Sequence, residues 1–213
     1  MKQFFLMALT AIVLFSSCGP AIYKADQFST VSTRHKTVAI LPADINISLR
    51  PHEAKKTTPE QLAKKEESTG FAMQEKLYSW FLKRKNKYHY SVNFQDVMET
   101  NSQLHKAGIT YADLRSKSRR ELAQLLGVDA VISSSVRMDK PMSDGAAVAV
   151  GAVFGVWGNT NKANTVINVH DGGSGELMWK YQYEASGSVG SSPDNLVDAL
   201  MRNASKNFPY NSK

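Results

Sequence analysis

Ser118-Arg119-Arg120-Glu121-Leu122-Ala123-Gln124-Leu125-Leu126-Gly127-Val128-Asp129-Ala130-Val131-Ile132 is the stretch that decides the fold class. Ser118 can cap a helix over Arg119 to Leu126. Leu122, Leu125 and Leu126 recur at helical spacing and are expected to face inward. Gly127 can adopt the left-handed conformation that stops a helix. Val128 to Val136 then reads as a strand. A helix running directly into a strand is the repeating unit of a sheet covered by helices.

Working outward, Lys36-Thr37-Val38-Ala39-Ile40-Leu41-Pro42 reads as a buried strand ended by proline. Thr58-Pro59-Glu60-Gln61 starts a helix, with Thr58 as N-cap, Pro59 in the first turn and Gln61 closing a capping box. That helix is expected to reach Lys85, with Leu62, Met73, Leu77, Trp80 and Phe81 on its core face. Tyr88 to Phe94 alternates like a strand, and Gln95 to Lys106 reads as a helix ended by Gly108. Thr110 can cap a further short helix. Thr165 to His170 and Glu176 to Ser186 are strands joined by Asp171-Gly172-Gly173-Ser174-Gly175, whose glycines suit a hairpin loop. Ser192-Pro193-Asp194 opens a last helix, with Leu196, Val197, Leu200, Met201 and Ala204 on its apolar face. The expected class is therefore α/β, a mixed β-sheet covered by helices in the order β-α-β-α-α-β-β-β-α, with a C-terminal hairpin and helix.

The N-terminal stretch sets the address. Met1-Lys2-Gln3 precedes an apolar run from Phe4 to Phe15, then Ser16-Ser17-Cys18-Gly19. A basic tip, a short apolar run and small residues make a secretory signal, too short to span a bilayer stably. Cys18 is the one cysteine of the chain, and its placement resembles the lipobox of bacterial lipoproteins, with Phe15 where leucine is usual. That resemblance implies residues 1–17 as signal peptide and Cys18 as the acylated first mature residue. A plain secretory signal with an incidental cysteine is the competing reading. Residues 18–35 lack periodicity and read as a lipidated tether, leaving 36–213 as a single α/β domain. No acidic cluster follows Cys18, which favours an outer-membrane anchor facing the periplasm.

Three stretches together resemble one group of envelope lipoproteins. They are Val38 to Pro42, Glu121 to Ile132, and Asp171 to Gly175 leading into Glu176-Leu177-Met178-Trp179. The group includes the amino-terminal domain of TolB, the curli-secretion lipoprotein CsgG, the lipoproteins that activate penicillin-binding proteins, and small lipoproteins without assigned function. The resemblance covers about Lys36 to Phe208. It implies an assembly or interaction module with no catalytic residues.

The formal net charge is +7, with cations clustered at Lys55, Lys56, Lys64 and Lys65, at Lys83, Arg84, Lys85 and Lys87, and at Arg115, Lys117, Arg119 and Arg120. An extracytoplasmic address argues against nucleic acid. Anionic head groups, acidic cell-wall polymer or an acidic protein face are the partners such clusters suit; solvated helix ends are the plainer account. His35, His52, His89, His105 and His170 show no metal-ligand spacing. His170-Asp171 reads as a polar hairpin corner, and Ser133-Ser134-Ser135 lacks the nucleophile elbow. No catalytic set, metal site or cofactor is expected.

The one unusual segment is a Gly/Ala/Val insertion at 144–160, uncharged from Gly145 onward. Val148, Val150, Val153, Phe154, Val156 and Trp157 are its candidate contact residues, meeting the membrane or another subunit. A membrane hairpin needs two strands of about ten residues, and this run supplies roughly one. A loop or helix folded onto its own domain is the other reading. The function these features point to is a non-enzymatic envelope lipoprotein that binds envelope proteins or itself as a homo-oligomer. The alternative is a subunit of an outer-membrane secretion or export channel. A cell-wall hydrolase would need paired acids or metal ligands that the sequence does not place.

Overall fold

The computed structural model describes residues 20–49, 51–139, 162–186 and 193–211. Seven strands form one mixed sheet: β1 (Ala21–Lys24), β2 (Thr37–Ile40), β3 (Asp44–Ser48), β4 (Asn93–Phe94), β5 (Ala130–Asp139), β6 (Lys162–Asp171) and β7 (Leu177–Ser186). The helices are α1 (Phe28–Val31), α2 (Pro51–Ala54), α3 (Pro59–Tyr88), α4 (Val97–Lys106), α5 (Arg119–Leu126) and α6 (Pro193–Lys206), with 3-10 turns at Ser32–Arg34 and Asp113–Arg115. The sheet runs β1-β7-β6-β5-β2-β4, and β3 also pairs with β5. β2, β3 and β4 make the parallel pairings, while β5, β6, β7 and β1 run antiparallel.

Central strand β5 is ten residues long and carries two short parallel partners end to end. β2 pairs with Ala130 to Ile132, and β3 with Ser135 to Asp139. Pro42 separates the two partners, since proline cannot donate to a ladder. β3 lies outside the sequence-based element order. Its five residues alternate correctly, with Ile45 and Ile47 buried, but they follow the proline and run into a polar stretch.

Capping works as its residues dictate. Thr58 and Gln61 form a complete capping box on α3, and Ser118 and Glu121 form one on α5. Gly127 stops α5 at φ 63°. One sheet face is covered by α3 and α6, burying Met73, Leu77, Phe81, Leu200, Met201 and Ala204 over Ile40, Ile132, Ile167 and Trp179. The side chains of Leu196 and Val197 lie outside the described set. α4 and α5 cover part of the other face, where Leu104, Leu122 and Leu126 pack on Ala39 and Val131.

Three expectations need correction. Leu125 is 38 % exposed; an eight-residue helix buries a narrow stripe, and Leu122 and Leu126 already fill it. Tyr88 to Phe94 is not a continuous strand, because α3 runs on to Tyr88, His89 turns the chain at φ 50°, and β4 keeps two residues. The tether assigned to 18–35 is folded from Ala21 onward. Ala21–Lys24 forms an edge strand on β7, and Phe28 and His35 are buried. Short strands of this kind carry too few residues to show a period.

Candidate functional site

Cys18 and the contact candidates Val148, Val150, Val153, Phe154, Val156 and Trp157 lie outside the described residues. The sheet register nevertheless places their points of departure. Ala21 stands opposite Gln182, Gln182 opposite Val166, and Val166 opposite Ser135. β5 continues past that level to Asp139, which pairs with Lys162, itself paired with Ser186. The chain toward Cys18 and both ends of the 140–161 connection therefore leave the sheet from one end. Cys18 stands two positions before Pro20, a span of at most about 7 Å.

Above the bend between β2 and β3 lies a groove of about 510 Å³. Its walls are Phe71 on α3, Leu104 at the end of α4, and Ile109, Tyr111 and Leu114 on the following loop, with Pro42 at the floor. Glu67 and His105 stand at its exposed rim. The size and apolar lining match a site for a small apolar group or a partner's side chain.

The groove exists because the loop after α4 is held open. Gly108 reverses the chain at φ 70°. The Asp113 carboxylate then accepts from the Thr110 backbone N–H (2.9 Å) and hydroxyl (2.6 Å). Tyr111 donates its hydroxyl to the Ala43 carbonyl at 2.7 Å and accepts from the Ile45 N–H at 3.0 Å. Burial is the chief cause that pushes the Tyr111 phenol up to about 12, so it remains a neutral donor. Gly70 lets α3 approach this bend. A Cβ there would lie 2.4 Å from the Ala43 carbonyl and 2.6 Å from the Tyr111 ring. The Ala43 N–H donates to the Gly70 carbonyl at 3.0 Å.

The same elements seal the outer edge of β3. The Glu66 carboxylate accepts from the Ile47 N–H at 2.9 Å, and Arg115 donates to the Ile45 carbonyl (3.0 Å) and the Asp44 carboxylate (2.7 Å). Unpaired strand edges invite association with other chains. Here side chains occupy the groups another strand would use.

At the other end of the sheet sits a buried polar junction that the sequence did not reveal. His35 Nε2 lies 2.9 Å from an Asp171 carboxylate oxygen, and His35 Nδ1 lies 2.5 Å from the Tyr210 hydroxyl. The second carboxylate oxygen of Asp171 accepts from the Ser174 N–H at 2.6 Å. Burial alone would push the Asp171 carboxyl up, but the hydrogen bonds from His35 and Ser174 hold it below the usual carboxylate range. His35, Asp171 and Tyr210 are 3 %, 5 % and 2 % exposed. They join the N-terminal segment, the β6–β7 hairpin and the C-terminal segment. The partners are 136 and 175 residues apart, so no local spacing could announce them.

His170 and Asp171 are not a pair. Successive strand residues face opposite sides of the sheet, and His170 is half-buried away from its neighbour. Burial, with Arg119 nearby, pushes the His170 imidazole down to about 4. Ser133 and Ser134 are buried on β5, as strand serines. In the glycine-rich hairpin, Gly175 takes a positive φ of 79°, whereas Gly172 serves close approach, its N–H donating to the Asp129 carbonyl at 2.8 Å. Among the described residues, no group of three His, Cys, Asp or Glu side chains could hold a metal ion, and no helix is long and apolar enough to cross a membrane.

No protein-family model and no curated protein matches this chain. Its structural neighbours include bacterial lipoproteins at low identity. The lipoprotein GNA1162 from Neisseria meningitidis is similar at 12 % identity and a TM-score of 0.48, over 81 % of this chain and 98 % of that one. The PelC dodecamer from Paraburkholderia phytofirmans is similar at 11 % identity and a TM-score of 0.46, over 92 % and 98 %. The C-terminal domain of LpoB from Salmonella enterica is similar at 12 % identity and a TM-score of 0.35, over 75 % and 93 %.

Proposed function

We propose that this chain is a non-enzymatic lipoprotein of the cell envelope, held by an acylated Cys18 and acting as an assembly module that contacts envelope proteins or further copies of itself. The observation that carries this reading is the shared exit end. The described chain ends that lead toward Cys18 and toward the Gly/Ala/Val insertion at 144–160 lie at the end of the sheet where β5 finishes and β6 begins. A lipid at Cys18 holds that end against a bilayer, so the insertion works at the membrane surface or between neighbouring copies confined there. Confinement to one surface raises effective concentration and favours such contacts without new bonds. The outer membrane with a periplasmic face is the location this reading takes.

The test has two arms. Cys18→Ala is expected to abolish incorporation of labelled fatty acid; equal labelling of parent and variant defeats the lipoprotein reading. Val150→Asp or Phe154→Lys is expected to reduce the assembled mass in sedimentation while leaving the melting temperature unchanged, because an unpaired charge is costly at an apolar contact. A destabilised monomer would instead place the insertion in the chain's own core. An export-channel subunit is the second reading, favoured by the strand ends that lead into the apolar insertion, Asp139 and Lys162, standing at the end proposed to be anchored. Discrete conductance steps from the purified protein in planar bilayers would select it.

A further inference from the structure

The end of the sheet opposite the anchored one carries a cluster of cations. α3 finishes there with Lys83, Arg84, Lys85 and Lys87. The Lys85 ammonium donates to the Asn93 side chain, and Asn93 pairs with Thr37 at the start of β2. Just beyond α3, Tyr90 donates its hydroxyl to the Ser205 carbonyl at 2.6 Å and pairs in a β-bridge with Asn211, whose side chain donates to the Lys206 carbonyl at 2.7 Å. No Asp or Glu occurs between Lys76 and Asp96. Among the described residues, none of these five cations has a carboxylate within 4.0 Å.

The helix dipole accounts for a cation or two in the last turn of α3. Lys206 likewise stands in the last turn of α6, where that helix's dipole suits it; neither dipole accounts for Lys83 and Arg84 further up α3 or for the aromatic surface between the charges. Arg84 lies 5.1 Å and Lys83 5.8 Å from the half-buried Trp80 ring, and Lys87 lies 5.6 Å from that of Tyr88. The Arg84 Nε has no hydrogen-bond partner among the described residues.

We propose that this end binds an acidic glycan of the envelope, a polymer of sugar rings bearing carboxylates. Lysines on flexible stems meet carboxylates at variable spacing. The half-buried rings of Trp80 and Tyr88 stand among these cations, and the face of an aromatic ring packs on pyranose C–H groups, a contact a plain acidic peptide does not offer. The patch faces away from the bilayer that would hold Cys18, so that membrane's own head groups are out of reach. This orientation rests on the lipid-anchor reading above; the binding chemistry does not.

The experiment titrates the full-length chain, in nonionic detergent, with polygalacturonate, neutral dextran and polyglutamate. Polygalacturonate is expected to bind, to weaken steeply with added salt, and to exceed polyglutamate by about tenfold, a difference of about 1.4 kcal/mol. Dextran should not bind. The pair Lys83→Glu and Lys87→Glu should reduce polygalacturonate binding by about tenfold or more at an unchanged melting temperature. Lys206→Glu, on a separate helix, should weaken it as well and guards against a folding defect in α3. Equal binding of polyglutamate would overturn the glycan assignment, and full binding by the folded variants would overturn the patch. Fatty-acid labelling of Cys18, read on the same preparations, keeps the two ideas apart. An unlabelled chain that still binds polygalacturonate sinks the anchor reading alone.

Discussion

Gln74 and Asn101 exchange two side-chain hydrogen bonds, each 3.0 Å long, and so tie α3 to α4 across the sheet's edge. Gln74 also donates to the Ile40 carbonyl at 2.7 Å, where β4 is too short to pair with it. Gln74 is fully buried. Gln74→Leu should therefore cost roughly 1–3 kcal/mol, because it strands a buried carbonyl and the Asn101 amide. Urea denaturation of the two proteins measures this, and an unchanged midpoint would deny the amide pair its role.

Leu126 and Leu125 are adjacent but should differ sharply. Leu126 is 2 % exposed and packs beneath α5, so Leu126→Ala should lose about 2–5 kcal/mol. Leu125→Ala, on the solvent side, should change stability by less than about 0.5 kcal/mol. Equal losses in thermal melts would mean that α5 is rotated from its described position.

Gly70→Ala sets helix propensity against contact. Alanine gains about 1 kcal/mol over glycine inside a helix. The added methyl would meet a backbone carbonyl at 2.4 Å, and overpacking of that kind costs about 1–3 kcal/mol or more. Net destabilisation is expected, together with a changed groove that can be read by weaker protection of the Ile45 amide in hydrogen exchange. A stabilised variant would show that α3 stands further from the bend.

Acid should loosen the fold in two steps. The His170 ring is held down to about 4 from 6.5, so between those values the unfolded chain takes up a proton that the folded chain refuses. Stability falls as pH falls through that window. Solvent screening of the half-exposed ring reduces the effect to on the order of 1 kcal/mol. Asp171 has a lowered folded value, so its contribution is intact above the unfolded carboxylate range and disappears as pH drops through the folded value. His170→Gln should flatten the first step and leave the second, in urea midpoints measured at about pH 7, about 5 and about 3. An unaltered first step would assign it to another group.

What could be read from the residues follows how locally each signal is encoded. The capping box at Thr58, the cap at Ser118 and the stop at Gly127 use neighbours within one or two turns, and they stand where the spacing puts them. β1 and β3 take their meaning from distant partners. Ala21 needs Gln182, and Asp44 needs Ser135, so neither strand is legible alone. The groove and the His35 junction are likewise products of topology. Tyr111 gives no hint in sequence that its hydroxyl will meet the Ala43 carbonyl, and His35 none that it will meet Asp171. Periodicity also overstated Leu125, because it fixes a helix face but not how wide a strip of it the sheet covers.

The end-to-end seating of β2 and β3 on β5 bears on the timing of synthesis. Thr37 and Asp129 meet across 92 residues, and among the described residues β3 has no strand partner except β5. As the polypeptide is made from its N-terminus, everything through α5 must wait for residues 130–139 before the central ladder can nucleate. Long-range pairings of this kind fold slowly. A nascent chain that stays open for so much of its length remains threadable through a narrow translocation pore, and a helper that shields its apolar strands in the interval would raise the yield of the native protein.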